Sequence, residues 1–340
     1  MMVCLQRSSL AAAVVVALFL GLTRTEADVP KTTVDAKKHE SYVEKLPDSK
    51  VNFEMIAIPG GTYMMGSPTS EKGRNPDEGP QHPITVKPIW MGKCEVSWDE
   101  FDLYWQDARA KREKMPPKNL KDDAVTGPTP AYVDETYGHG REGHPVLCMT
   151  HHCAMDYCRW LSAKTGKEYR LPTEAEWEWA CRAGTTTPYF FGDDPAKLGE
   201  YAWYVKNSED FTHKLASKKP NPWGLYDMYG NVYEWCIDHY EKDGYAKFPL
   251  DKPTLQPVVL PTAKRFSHVA RGGSWADEPA QCRSASRVGS TTEWIKHDPQ
   301  RPQSIWWLTK WDVVGFRVVR AVEEQPNLKG LRSKITKESD

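Results

Sequence analysis

The sequence predicts a turn-rich, tryptophan-heavy α+β domain. One observation is backbone chemistry: 26 prolines and 23 glycines scatter fixed and permissive φ angles along the chain, favouring turns over long regular elements. A second is the source of core volume. The chain is only 39% hydrophobic but carries 14 Trp, 15 Tyr and 9 Phe, and aromatic rings bury a large area per residue. A third is that periodic runs are short, of both helical and strand type, and show no solenoid-length repeat. A long helical bundle and a coiled coil are excluded. So is an electrostatic binder of nucleic acid or anionic membrane: 45 basic against 46 acidic side chains leave a net charge of -1, with no basic excess.

Taken in order, residues 1–27 read as a signal peptide. Arg7 supplies the positive end, Leu10 to Leu22 the apolar run, and Thr25-Glu26-Ala27 the small residues of a cleavage site. The run of 13 residues is shorter than the roughly 20 that span a bilayer, and no cysteine follows it to accept a lipid. The expectation is an exported protein, periplasmic or extracellular, with no membrane span after cleavage. Residues 28–50 read as a polar spacer, 51–322 as one domain and 323–340 as a polar tail. Cleavage removes Cys4 and leaves seven cysteines: Cys94, Cys148, Cys153, Cys158, Cys181, Cys236 and Cys282. An oxidising compartment permits disulfides, but an odd count leaves at least one thiol unpaired.

Within the domain, Phe53 to Ile58 alternates and runs into Pro59-Gly60-Gly61, a strand entering a turn. His82 to Met91 is a second strand whose prolines push it to a sheet edge. Ser97 before Asp99 and Glu100 marks a helix start, with Phe101, Tyr104 and Trp105 on one face. Residues 111–144 form a proline-containing loop. His151 to Thr165 reads as a helix closed by Gly166. Thr173-Glu174-Ala175-Glu176 is a capping box opening a helix that turns Trp177, Trp179 and Ala180 inward and stops at Gly184.

Five segments recur in a fixed order: Ile58 to Gly66 (IPGGTYMMG), Arg170 to Glu178 (RLPTEAEWE), Pro222 to Trp235 (PWGLYDMYGNVYEW), Val269 to Trp275 (VARGGSW) and Gly315-Phe316-Arg317. Together they resemble the formylglycine-generating enzyme family, the sulfatase-modifying factors, over about residues 53 to 320. The resemblance implies a modified C-type-lectin-like fold with low regular secondary structure and bound calcium. It also implies oxygen-dependent oxidation of a sulfatase cysteine to formylglycine, with copper held by two cysteines.

Calcium takes six to eight hard oxygens. Asp227 and Glu234 offer carboxylates, and Gly230 can turn carbonyls inward; a capped turn with solvated carboxylates uses the same residues. The resemblance places a calcium at Asp227, Gly230, Val232 and Glu234, the middle two through backbone oxygen. A second family calcium site falls where this chain is shortened, near Trp203 and Asn207, and has lost a donor.

The copper pair departs from the pattern. Soft thiolates suit Cu(I), and the family's two cysteines stand second and seventh after the aromatic residue following Gly-Gly-Ser. Counted from Trp275, those positions are Asp277 and Cys282. Aspartate is a hard ligand that cannot exchange with a substrate thiol. Arg283 to Arg287 also arrives about three residues early, which leaves Cys282 open to a structural role. The resemblance suggests Cys181 as its disulfide partner. Ser274 lines the family's active-site region and is a candidate catalytic residue beside Cys282, although no motif links a His or Asp to it. His151 and His152 beside Cys153 and Cys158 read as capping, surface and core residues. Ile305 to Trp311 reads as core. Two functions follow: a paralogue that binds a sulfatase, another polypeptide or a glycan without the family oxidation, or an oxidase with altered metal ligation.

Overall fold

The computed structural model describes residues 39–113, 134–336 and 339. The signal-peptide segment, Cys4 and residues 114–133 of the expected loop lie outside them. In chain order the elements are β1 (Tyr42–Lys45), β2 (Asn52–Ile58), β3 (Gly61–Met65), β4 (His82–Val86), β5 (Ile89–Gly92), α1 (Trp98–Glu113), α2 (His151–Thr165), α3 (Glu174–Arg182), β6 (Tyr233–His239), β7 (Thr254–Leu255), β8 (His268–Arg271), β9 (Arg287–Gly289), β10 (Val314–Gly315) and β11 (Val319–Ala321). Long stretches between them are irregular, as the proline and glycine content predicts.

Among the described residues three small sheets form, in the orders β1-β2-β5-β11, β10-β6-β8-β9 and β3-β4-β7. The run from His82 to Met91 is two strands rather than one. Pro88 has no amide to donate, so the ladder stops there, and β4 and β5 enter different sheets. The supposed spacer is also partly structural. Tyr42 pairs with Met55 and Lys45 with Asn52, Leu46 is buried, and the indole of Trp90 donates to the Glu40 carbonyl at 2.8 Å. The polar tail likewise does not dangle: Leu328 and Ile335 are buried in the larger apolar cluster.

The helices begin where side-chain chemistry starts them. Ser97 Oγ accepts from the Glu100 amide at 3.2 Å and the Glu100 carboxylate accepts from the Ser97 amide at 3.1 Å, opening α1. Thr150 caps α2, which ends on left-handed Gly166. Thr173 and Glu176 complete the capping box of α3. That helix closes one residue earlier than expected, on left-handed Ala183. Phe101 and Tyr104 of α1 are buried with Tyr157 and the 305–308 segment, so the tryptophans there are core.

The motif charges are mostly framework. Glu176 binds Arg170, Glu174 binds Arg287, Glu178 joins Arg182 and Arg271, and Glu234 takes Arg317. Each is buried, and each pair tolerates burial only because its partner neutralises it. These pairs tie α3 to β8, β9 and the chain beside β6, and they fix the loops between.

Candidate functional site

The loop after β8 carries the residues where the family resemblance places chemistry. It begins with Gly272 and Gly273, both left-handed. At Gly273 a β-carbon would stand 2.6 Å from Cys282 Sγ, so glycine is required by both conformation and space. Cys282 therefore packs beneath the loop and is fully buried. Burial pushes its thiol well above the ordinary range, and the nearby Asp277 charge adds to this. That is the environment of an inert thiol rather than an activated one.

Asp277 folds back onto Ser274. Its Oδ2 accepts from the Ser274 amide at 2.9 Å and from the Ser274 hydroxyl. Burial raises the Asp277 pKa, partly offset by Ser274 and by the Tyr233 hydroxyl. Ser274 is thus joined to an aspartate, but among the described residues no histidine bonds it, and its hydroxyl is engaged as a donor to Asp277. The expected Cys181–Cys282 disulfide is not formed: both are free thiols. Cys181 Sγ instead faces the Met228 carbonyl at 3.9 Å and Ser284 Oγ at 3.7 Å. A carboxylate committed to Ser274 and a single buried thiol do not fit a two-thiolate copper centre.

Around the loop stands an aromatic face that sequence reasoning missed. The His139 ring lies 5.1 Å from Trp275 and 5.3 Å from Phe211. His139 Nδ1 accepts from the Thr212 amide at 2.9 Å, so its proton sits on Nε2, toward Asp312 Oδ2 at 3.0 Å. Trp275 Nε1 donates to the Asp312 carbonyl at 3.0 Å. Trp275 is half-buried and Phe211 exposed. No sequence motif joins these residues; the fold brings them together.

The calcium residues divide into two groups. Glu234 is saturated, its carboxylate held by Arg317 and by Trp177 Nε1 at 2.7 Å. Asp227 is not. Its Oδ2 accepts from the Ala216 amide at 2.9 Å, while Oδ1 is buried without a partner. Glu95, which the sequence reading did not select, joins it: Oε2 is also buried without a partner, and Oε1 accepts from Asn231 Nδ2 at 3.4 Å. Burial raises both carboxyls; the Asp227 charge is the next cause at Glu95, and the Glu234 charge adds to the rise at Asp227. Three carboxylates and one guanidinium, all buried, would leave a local charge of about minus two if ionised. Among the described residues no three His, Cys, Asp or Glu side chains converge to hold a metal unaided. A hard cation here would therefore draw on Glu95, Asp227 and backbone carbonyls, a donor set that fits calcium. Gly230 lies at the centre, where a β-carbon would stand 2.0 Å from the Trp203 carbonyl. That carbonyl accepts from the Asn231 amide at 2.8 Å, so Trp203 serves as a brace.

His151 and His152 form no metal centre with their cysteines. His151 stacks on His268 at 3.8 Å and binds the Cys236 carbonyl at 2.9 Å; Cys153 and Cys158 are buried in core.

Short mixed sheets, three α-helices among the described residues and extensive irregular chain wrapped on arginine–carboxylate pairs define an α+β scaffold of the formylglycine-generating type. Residues 41–322 match the family described as sulfatase-modifying factor enzyme 1-like domain, and the chain belongs to that family. It is 28% identical to a formylglycine-generating enzyme of Streptomyces coelicolor, over 70% of this chain and 84% of that protein. It is 30% identical to the serine/threonine-protein kinase pkn1 of Chlamydia pneumoniae, over 73% of this chain but 37% of that protein, so it spans little more than a third of that relative's length. The solved structure of PvdO from Pseudomonas aeruginosa is similar with a TM-score of 0.61 and 30% identity, covering 83% of this chain and 98% of that one.

Proposed function

We propose that this domain recognises a polypeptide at the face around Trp275 and does not perform cysteine oxidation on a copper dithiolate. The Asp277 carboxylate carries this reading. It stands where the family's first copper-binding cysteine is expected, and it is tied down by two bonds from Ser274. A hard oxygen in a local turn offers neither the soft ligand that Cu(I) needs nor a thiol for exchange. The exposed Phe211 and half-buried Trp275 supply apolar contact area for a bound chain. A sulfatase segment is the first partner to try, because relatives of this chain are formylglycine-generating enzymes.

The Glu95 and Asp227 carboxylates, with the Gly230 and Val232 carbonyls, are the proposed calcium donors, and Glu234 braces them through Arg317. When bound, calcium would neutralise the buried acids and fix the segment before β6. Export through residues 1–27 is part of the same reading: such a protein would meet sulfatases outside the cytoplasm.

The test incubates the Cu(I)-loaded protein with a peptide bearing the sulfatase cysteine motif and follows mass and binding together. Retained binding with an unchanged peptide mass is expected. Conversion of the cysteine to an aldehyde would instead establish the oxidase with altered ligation. Loss of binding on scrambling the peptide separates recognition from adhesion, and binding of an oligosaccharide but not the peptide would make the partner a glycan.

A further inference from the structure

Sharing no residue with the Trp275 face, the C-terminal segment covers a half-enclosed cavity of about 190 Å³ against α2. Met155 and Cys158 of α2, Leu171, and Ile237 of β6 form its floor, while Leu328 and Leu331 form its outer wall. The floor residues and Leu328 are all buried. An apolar cavity of about 150 Å³ in a protein core is large enough for a benzene ring.

The polar groups in the wall already have partners. Ser162 Oγ donates to the Cys158 carbonyl at 2.7 Å and accepts from the Tyr169 amide at 2.8 Å. The Tyr169 hydroxyl is engaged by Glu44 and Tyr42. Arg170 is held by Glu176, by the Leu171 carbonyl and by Glu324 of the tail. Water entering such a space finds few of the two to four partners it needs. The remaining charges stand at the rim and balance in sign: Arg159 pairs with Asp156, and exposed Arg332 and Glu168 have opposite charges. Nothing in the lining favours an ion over a neutral body.

We propose that this cavity is a binding site for an uncharged monocyclic aromatic molecule, and that its occupation fastens the C-terminal segment onto α2. The segment's other attachments include buried Leu328 and Ile335, the Arg170–Glu324 and Lys87–Glu323 pairs, and His152 Nδ1 bonded to Ser333 Oγ at 2.8 Å. A ligand touching both Leu171 below and Leu331 above replaces missing packing on both sides, and so links binding to the order of the tail.

Toluene is the probe, and the full chain is the target. Toluene at about ten times its dissociation constant is expected to raise Tm by about 2–4 °C and to shift the methyl resonances of Leu328, Leu331, Ile237 and Met155. Benzoate and benzylammonium, of similar shape but charged, are expected to bind at least tenfold more weakly. Cys158→Phe fills the cavity from the floor and should abolish both effects. Leu331→Trp fills it from the half-exposed wall and serves where the first variant fails to fold. Unmoved wild-type methyl resonances at saturating toluene would overturn the proposal, as would equal shifts in a filled variant. Tighter binding of either charged analogue would overturn the ligand class.

Discussion

Glu178 and the Glu95–Asp227 pair are equally cut off from water, yet they hold protons in opposite senses. Burial alone would raise the Glu178 carboxyl, but Arg182 and Arg271 together with the Gly66 amide outweigh it and hold the pKa below the ordinary value. At Glu95 and Asp227 the same burial is not outweighed, although Arg317 acts on both, and the carboxyls are pushed up. Glu178 and Asp227 both sit in family segments beside aromatic residues, so sequence alone gives them the same appearance, whereas Glu95 comes from outside those segments. The difference lies in stoichiometry. Around Glu178 each acid meets a guanidinium, whereas at Glu95 one guanidinium, already paired to Glu234, serves three acids. A saturated network is structural, and an unsaturated one has capacity for a cation.

The largest effect that can test this contrast is removal of Glu178. Glu178→Ala leaves Arg182 and Arg271 buried without their shared counter-charge and should cost about 3–5 kcal/mol in denaturant unfolding. Asp227→Asn, measured without calcium, should lie within about 1 kcal/mol of wild type, because it removes a charge that burial disfavours. Equal losses at the two positions would break the comparison.

Calcium should sharpen it. Asp227 is pushed up to about 6 from 3.8, so the folded state favours its protonated form. In calcium-free protein this group's contribution is fully present below about pH 4, the unfolded value, and is lost as pH rises through about 6. The proposed calcium would bind the ionised pair, so its stabilisation should grow from pH 5 to pH 8, reaching about 2–3 kcal/mol near a hundredfold excess over the dissociation constant. Thermal melts with calcium and with a chelator across that range give the measurement. A calcium increment that shrinks with rising pH, or none at all, removes the cation from the pocket.

Asp277 lies between the two extremes, half-buried with Ser274 of its own turn and Tyr233 of β6 as partners. Asp277→Ala should cost about 1–2 kcal/mol by freeing the Ser274 amide and hydroxyl, without changing the calcium increment. Coupling between the two would mean that the loop and the pocket act as one unit. Smallest is the α3 cap: Thr173→Ala should cost about 1 kcal/mol and leave both the calcium response and peptide binding unchanged.

The helices were legible because their start signals are local. Ser97, Thr173 with Glu176, and Gly166 act within one turn of the residues they cap, so reading them needs no tertiary knowledge. Strand β1 was not legible, because Tyr42 and Lys45 gain meaning only from pairing with Met55 and Asn52. Leu328 and Ile335 were hidden similarly, as isolated apolar residues in a polar stretch with no period. At the site, the motifs located Ser274, Asp277 and Asp227 but not Glu95, His139 or Asp312, which come from distant segments. The disulfide expectation failed on side-chain direction: Cys181 points to Ser284 and Cys282 to Gly273, which residue spacing does not encode.

The thiols have a consequence for how the protein recovers from heat. All seven described cysteines are unbonded, and all but Cys94 are buried. Folded, they are protonated, and the six buried ones are beyond the reach of oxidants. Unfolded, each regains an ordinary thiol pKa near 8.5 and can exchange freely, so in an oxidising compartment every opening of the core starts a race between refolding and cross-linking. There the fold itself would act as the reductant's substitute, and the lifetime would be set by the unfolding rate rather than by equilibrium stability.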